Sequence, residues 1–266
     1  MDLNFNTYIK NKLSPNLVKT VDDLKFYGNK TTMPDKSFVK HDGDYCVYNI
    51  GESIKQHYKI NNYNFRGKFD FLGTRQKIGF FGCSFTFGEL VDDGYIFSDI
   101  IENKSGYNCF NFGVLGSSIE YIAYTFNAAS SVIDFDKAVI ITFPDIYRSI
   151  YLQSNTEDTI HRNISHSVKT NYKKLDDAVK MIYMLPEEVF VQRAIANINW
   201  IVSTAKHKGI QVFLTSWDKD TYKILRRIFP DSTLNEMFPY IDYAADNLHP
   251  GLQSHQKFAE QVMSVI

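Results

Sequence analysis

Four short apolar runs constrain this 266-residue chain more than any other feature. They are Lys77-Ile-Gly-Phe-Phe-Gly82, Tyr107-Asn-Cys-Phe-Asn-Phe112, Lys137-Ala-Val-Ile-Ile-Thr-Phe143, closed by Pro144, and Gly209-Ile-Gln-Val-Phe-Leu-Thr215. Continuous apolar runs of this length suit strands buried on both faces, which is the habit of a parallel sheet. Helical patterns lie between and after them. Ser117-Ser-Ile-Glu120 reads as a capping box opening a helix to about Ser131. Pro186-Glu-Glu188 opens another, with proline and acids in the first turn. Its apolar positions Val189, Phe190, Ala194, Ile198, Ile201, Val202 and Ala205 keep helical spacing until Gly209. Lys219 to Phe229 is a third helix, and Leu252 to the end a fourth, with Phe258, Val262 and Ile266 four apart. Strand alternating with helix predicts an α/β fold around a mostly parallel sheet.

Two stretches break this rhythm. Residues 1–75 are rich in Asn, Lys, Asp and Tyr and read as an N-terminal extension packing on the main domain, 76–266. Within the extension Tyr45 to Ile50 is strand-like, and Ser53 to Ile60 is too short to assign. Ile146 to Leu185 is long, polar and charged, and reads as an insertion near the carboxyl edge of the sheet.

Composition excludes several classes. With 29 basic and 30 acidic residues the net charge is −1, so there is no electrostatic footprint for nucleic acid. Three cysteines, Cys46, Cys83 and Cys109, without CxxC spacing argue against a disulfide framework or a structural zinc. Seven histidines without an HExxH pair argue against a catalytic zinc, and no cofactor is expected. His161, His166, His207 and His255 stand in polar surroundings and receive no role. No run is long and apolar enough to span a bilayer, and Met1 to Lys12 lacks the apolar core of a secretory signal, so a cytoplasmic location is the expectation. Aromatic residues reach 15%. A core built from rings explains this first, a sugar-stacking cleft second.

In an open parallel sheet, ligands bind beyond the carboxyl ends of the strands. After the first run stands Gly82-Cys-Ser84-Phe-Thr-Phe-Gly88, a glycine turn able to expose a serine hydroxyl and its amide. After the second stands Asn111-Phe-Gly-Val-Leu-Gly116-Ser-Ser118, a glycine turn entering a helix, where backbone donors can face an anion. Near the end stands Asp246-Asn-Leu-His249-Pro-Gly251, whose acid and imidazole can hydrogen-bond if the chain turns between them. Taken singly, each has a plainer reading: Ser84 as a helix N-cap, Gly113 and Gly116 as turn glycines, Asp246 and His249 as loop residues.

The ordered set resembles the SGNH/GDSL hydrolases, a family of esterases, lipases and carbohydrate O-acetyl esterases. The resemblance covers about Lys77 to Ile266, and Asn61-Asn-Tyr-Asn-Phe-Arg-Gly67 is similar to a lead-in found in some members. It implies a flavodoxin-like three-layer α/β/α fold. It further implies Ser84 as nucleophile, His249 as general base and Asp246 as the acid orienting it. The Ser84 and Gly116 amides would be oxyanion donors. An alcohol becomes a nucleophile at neutral pH once a neutral imidazole can take its proton, and the carboxylate holds the imidazole tautomer.

Two blocks depart from the family pattern. Cys83 stands where the family carries an acid, and reads as a small buried side chain. After the third run the family has Gly-x-Asn, with the Asn as third oxyanion donor, whereas this chain has Phe143-Pro-Asp-Ile-Tyr-Arg148. Asp145 lies nearest the Asn position. Three outcomes stay open: Arg148, paired with Asp145, supplies the missing charge; two backbone donors suffice at a lower rate; or catalysis is lost. Asn111, Asp145 and Arg148 are therefore candidates for substrate contact.

The leading expectation is a serine esterase acting through an acyl-enzyme on a small acyl ester, such as an O-acetyl group on a carbohydrate. Its competitor is a catalytically silent domain of the same fold that binds a carbohydrate or a protein. A nucleotide binder using Asn111 to Ser118 as phosphate loop ranks last, because Gly-x-Gly-x-x-Gly and Gly-Lys-Ser/Thr are missing. Neither nucleic acid nor a membrane span is expected as a partner, and the oligomeric state is open.

Overall fold

The computed structural model describes residues 18–28, 32–33, 36–37, 39–41, 45–50, 54–154, 159–164 and 184–266, of which 32–57 and 149–164 are described as backbone. After a 3-10 turn at Val21–Phe26 come β1 (Thr32–Met33), β2 (Lys36–Ser37), β3 (Val39–His41), β4 (Tyr45–Ile50) and β5 (Ile54–Lys59). β3, β4 and β5 form a small antiparallel sheet. The strand-like reading of Tyr45 to Ile50 is thus β4, and the unassigned stretch after it is β5. Next follow β6 (Lys77–Gly82), α1 (Ser84–Phe87), α2 (Phe97–Ser105), β7 (Asn108–Gly113), α3 (Ile119–Val132) and β8 (Ala138–Phe143). An antiparallel hairpin, β9 (Ser149–Ser154) and β10 (Thr159–Ile164), lies within 146–185, of which 155–158 and 165–183 are outside the described residues. The chain ends with α4 (Glu187–His207), β11 (Val212–Ser216), α5 (Lys219–Ile228) and α6 (Leu252–Met263).

The four apolar runs are the four strands of one parallel sheet, ordered β7-β6-β8-β11. In chain order that is second, first, third, fourth, the flavodoxin-like arrangement. Side chains alternate across the sheet, as strand geometry requires. Phe81, Phe112, Val139, Ile141, Phe143 and Leu214 face the helices α3 and α4. Ile78, Phe80, Ala138 and Ile140 face α2 and α6. The result is three layers. The buried stripe of α4 is Phe190, Ala194, Ile198, Ile201 and Ala205, the spacing its sequence carries.

Two local readings are corrected. The helix cap is Ser118, not Ser117: Ser118 Oγ accepts from the Tyr121 N–H at 3.3 Å, while Ser117 Oγ donates to the Gly82 carbonyl at 3.0 Å. Glu120 does not close a capping box but pairs with Arg193 of α4. The helix α2 was not anticipated. It is nine residues long, only Phe97, Ser98 and Ile101 are buried, and so few anchors leave no readable period.

Residues 18–28 lie against α3. Val18, Leu24 and Tyr27 join the larger core, and the Tyr121 hydroxyl donates to the Tyr27 carbonyl at 3.1 Å. The β3-β4-β5 sheet is tied in through antiparallel bridges, Ile60 with Arg66 and Arg66 with Asn111.

Candidate active site

The order of strands reverses beside β6, so the crevice at the carboxyl ends of β6 and β8 is where this topology leaves room for a ligand. Gly82 ends β6 there. A Cβ on Gly82 would land on the Thr86 hydroxyl and 2.7 Å from the Thr142 carbonyl; one on Gly113 would land on the Phe87 backbone, 2.6 Å from its Cα. Only glycine at both strand ends lets the single turn of α1 sit directly on the sheet. The N-cap of α1 is Cys83, which makes no side-chain cap bond, so Ser84 is the first helical residue. Its hydroxyl is not capping the helix; it meets His249 Nε2 at 2.9 Å.

Four further groups hold this turn. Asn111 donates to the Thr86 carbonyl at 2.8 Å and to Ser98 Oγ at 3.2 Å, and its Oδ1 accepts from the Gly113 N–H at 2.9 Å. Asn111 is buried, and its amide serves the turn rather than the crevice. The Gly82 carbonyl accepts from Val114 N–H and Ser117 Oγ, both at 3.0 Å, which hangs the Gly116 turn two residues from Ser84. Gly116 takes a positive φ of 69°. Arg66, 1% exposed, donates to the carbonyls of Phe87 at 3.0 Å, Gly88 at 2.6 Å and Val91 at 2.6 Å, and pairs with Asp93 at 2.8 Å. Its guanidinium lies 4.6 Å from the Tyr58 ring centroid.

The histidine arrives from the loop before α6. Asp246 Oδ1 accepts from the N–H groups of Leu248 and His249, both at 3.0 Å, and Oδ2 takes His249 Nδ1 at 2.6 Å. Asn247, at φ 55°, makes the turn this requires; Asn tolerates the left-handed region better than most residues. A bridge between Tyr243 and Pro250, with Ala244 N–H on the His249 carbonyl at 2.8 Å, closes the loop. Asp242 anchors it to α6 by accepting from the Ser254 N–H at 2.8 Å and the Gln253 N–H at 3.0 Å. Ser84, His249 and Asp246 are thus brought together in one line.

Glu89 joins them, unforeseen from sequence. It is 4% exposed, and its Oε2 lies 3.1 Å from His249 Nε2, the nitrogen that also meets Ser84. The available signal was a lone acid amid Phe85, Phe87, Leu90 and Val91, one turn past the serine. Burial by itself would depress the His249 pKa; hydrogen bonding and charge from Glu89, then from Asp246, outweigh it and leave it raised. Burial pushes the Asp246 carboxyl up, but the bonds from the His249 backbone and ring and from Leu248 hold it below the usual value.

Asp145 and Arg148 are paired at 2.9 Å. The Arg148 guanidinium lies 5.3 Å from the Trp217 ring centroid, and Trp217 stacks on Phe85, the neighbour of Ser84, at 4.7 Å. Trp217 Nε1 donates to Cys83 Sγ at 3.4 Å, so Cys83 is a buried packing and acceptor group. Phe85 also touches the rings of Tyr240 at 5.8 Å and His249 at 5.7 Å. Tyr240 and Tyr243 are 45% and 59% exposed beside it. Among the described residues no cluster of His, Cys, Asp and Glu could hold a metal ion, and no helix is long and apolar enough to cross a membrane.

No family model matches this chain, and no curated protein does either. Among solved structures, a member of the lipolytic protein G-D-S-L family from Veillonella parvula DSM 2008 is similar at 14% identity and a TM-score of 0.42, over 72% of this chain and 98% of that one. The psychrotrophic esterase EstA from Pseudoalteromonas sp. is similar at 11% identity and a TM-score of 0.44, over 71% and 95%. A carbohydrate esterase, described as having divergent catalytic and non-catalytic binding functions in its active site, is similar at 13% and 0.47, over 73% and 69%. None of the three reaches a TM-score of 0.5, and the chemistry of this site rests on its own geometry.

Proposed function

We propose that this chain is a serine esterase of the SGNH/GDSL type acting on a small acyl ester. The observation that carries the reading is the unbroken line from Ser84 Oγ to His249 at 2.9 Å and from His249 to Asp246 at 2.6 Å. Such a line matches the requirements of nucleophile, base and orienting acid. In this reading Ser84 Oγ attacks the ester carbonyl while its proton passes to His249 Nε2. The alcohol leaves with that proton, and water then hydrolyses the acyl-serine with His249 again as base.

The oxyanion is received by the amides of Ser84 and Gly116. As the first helical residue, Ser84 has an N–H with no acceptor inside its helix. Arg148 neutralises Asp145, which removes the repulsion a bare carboxylate would impose on an oxyanion. The exposed rings of Tyr240 and Tyr243, with Trp217 behind Phe85, form an aromatic rim suited to the face of a sugar, which favours an O-acetylated carbohydrate as substrate.

A fluorophosphonate probe tests the assignment: it labels Ser84, and Ser84→Ala abolishes labelling. Folded wild-type protein that stays unlabelled refutes it. Turnover of p-nitrophenyl acetate that is equal in wild type and His249→Ala would instead favour a silent binding domain.

A further inference from the structure

We propose that Glu89 is a second positioning carboxylate for His249, accepting a hydrogen bond from the Nε2–H of the imidazolium as Asp246 accepts one from Nδ1–H. The proposal rests on the esterase reading for its catalytic meaning and on geometry for its substance. Glu89 Oε2 lies 3.1 Å from Nε2 and Ser84 Oγ lies 2.9 Å from the same atom. A carboxylate lone pair facing a bare Nε2 lone pair at that separation is repulsive, so the contact is favourable only with a proton between the two atoms. Neither side chain arrives there by accident. Arg66 clamps the carbonyls of Phe87, Gly88 and Val91 around Glu89, and the Leu90 N–H donates to the Tyr58 hydroxyl at 2.9 Å.

The other charged and titratable groups leave this pairing to Glu89. On the loop of His249, Asp246 occupies Nδ1, and Asp242 is engaged with Ser254 and Gln253 of α6. Arg66 faces the site from before β6 with its guanidinium committed to three carbonyls and Asp93. Tyr58 stands on β5 with its hydroxyl kept protonated by burial. His255, on α6, is fully buried and held neutral.

The consequence is a stronger base with a later onset. When Ser84 gives its proton to Nε2, the new N–H is shared with Glu89, and the imidazolium is stabilised at both nitrogens. At lower pH the same bond keeps the proton on His249 and reduces Ser84 Oγ to an acceptor, so the serine is idle. The acid limb of activity therefore stands above that of a histidine with a single carboxylate partner.

The test follows the rate of Ser84 labelling by a fluorophosphonate against pH in wild type, Glu89→Gln and Glu89→Asp, with nuclear magnetic resonance titration of the His249 ring alongside. Glu89→Gln is expected to move the acid limb to lower pH and to cut the plateau rate about tenfold, the worth of one hydrogen bond to a charged group. Glu89→Asp is expected to return the limb toward the wild-type position. An unchanged limb in folded Glu89→Gln overturns the proposal. So does a wild-type His249 ring that titrates at or below the ordinary histidine value, a measurement that needs no variant. Should wild type fail to label at any pH, the esterase reading falls, and the ring titration still decides the pairing.

Discussion

The turn that carries Ser84 and the loop that carries Asp246 and His249 meet at one point but are held there by different forces. The serine turn is held by steric fit. Gly82 and Gly113 let α1 rest on the strand ends, and Asn111 and Arg66 fasten its backbone from within the core. The histidine loop is held by carboxylates. Asp246 ties the turn to the imidazole, and Asp242 ties the loop to α6, while Ile241, Tyr243 and Leu248 beside them remain exposed. One region places the Ser84 hydroxyl by a close fit of turn against strand ends that a Cβ at Gly82 or Gly113 would spoil. The other places the His249 imidazole through a few strong, charge-assisted bonds.

Four measurements break or sharpen that contrast. The largest effect belongs to the point where the regions meet. Ser84→Ala and His249→Ala each lower kcat for p-nitrophenyl acetate by about 10⁴-fold or more, and the double variant is no worse than either alone, because the two act as a unit. Next comes the sterically held side: Gly113→Ala destabilises the fold by about 1–3 kcal/mol, read from the denaturation midpoint, since its Cβ meets the Phe87 backbone.

The third is a pH effect on the histidine side. Burial lowers the His255 pKa from 6.5 to about 3, and its Nδ1 accepts from the Phe97 N–H at 3.3 Å. Between those values the unfolded chain binds the proton and the folded chain does not. Stability is therefore full above pH 6.5 and falls as the pH drops, by about 1.4 kcal/mol per unit from this group. Urea unfolding of wild type and His255→Gln across that range checks it, the variant having the shallower slope. The smallest effect is Asp242→Asn, which loses the charge of a helix cap and costs about 1 kcal/mol. It also loosens the histidine loop, so kcat falls while Gly113→Ala, at equal residual stability, leaves the imidazole in place.

Much of this architecture was legible beforehand. The strand at Ala138–Phe143 and the helix at Glu187–His207 are written in runs and periods long enough to read, and so is the parallel order of layers. Glycine and proline marked the turns that hold Ser84, Asp246 and His249, the family resemblance grouped the three, and the structure brings their side chains within hydrogen-bond reach. Ser117 and Ser118 could not be told apart as caps, since either hydroxyl has the right chemistry and only the Gly82 carbonyl claims one of them. Glu89 was silent for a similar reason, and Arg66 stood only inside a segment resembling a family lead-in, with no partner to be read there. A single acid or base in an apolar stretch has no period, and its partner lies far along the chain.

The order of residues alone determined the four strands of the parallel sheet, the helices with long apolar periods and the polar side chains at strand ends, because burial and turn chemistry act locally and leave a pattern. Folding in three dimensions decided who meets whom: that His249 is flanked by Asp246 from three residues away and by Glu89 from a segment far back along the chain. Charge and hydrogen bonding act over a few ångströms of space, so these pairings exist only once the sheet has brought the loops together.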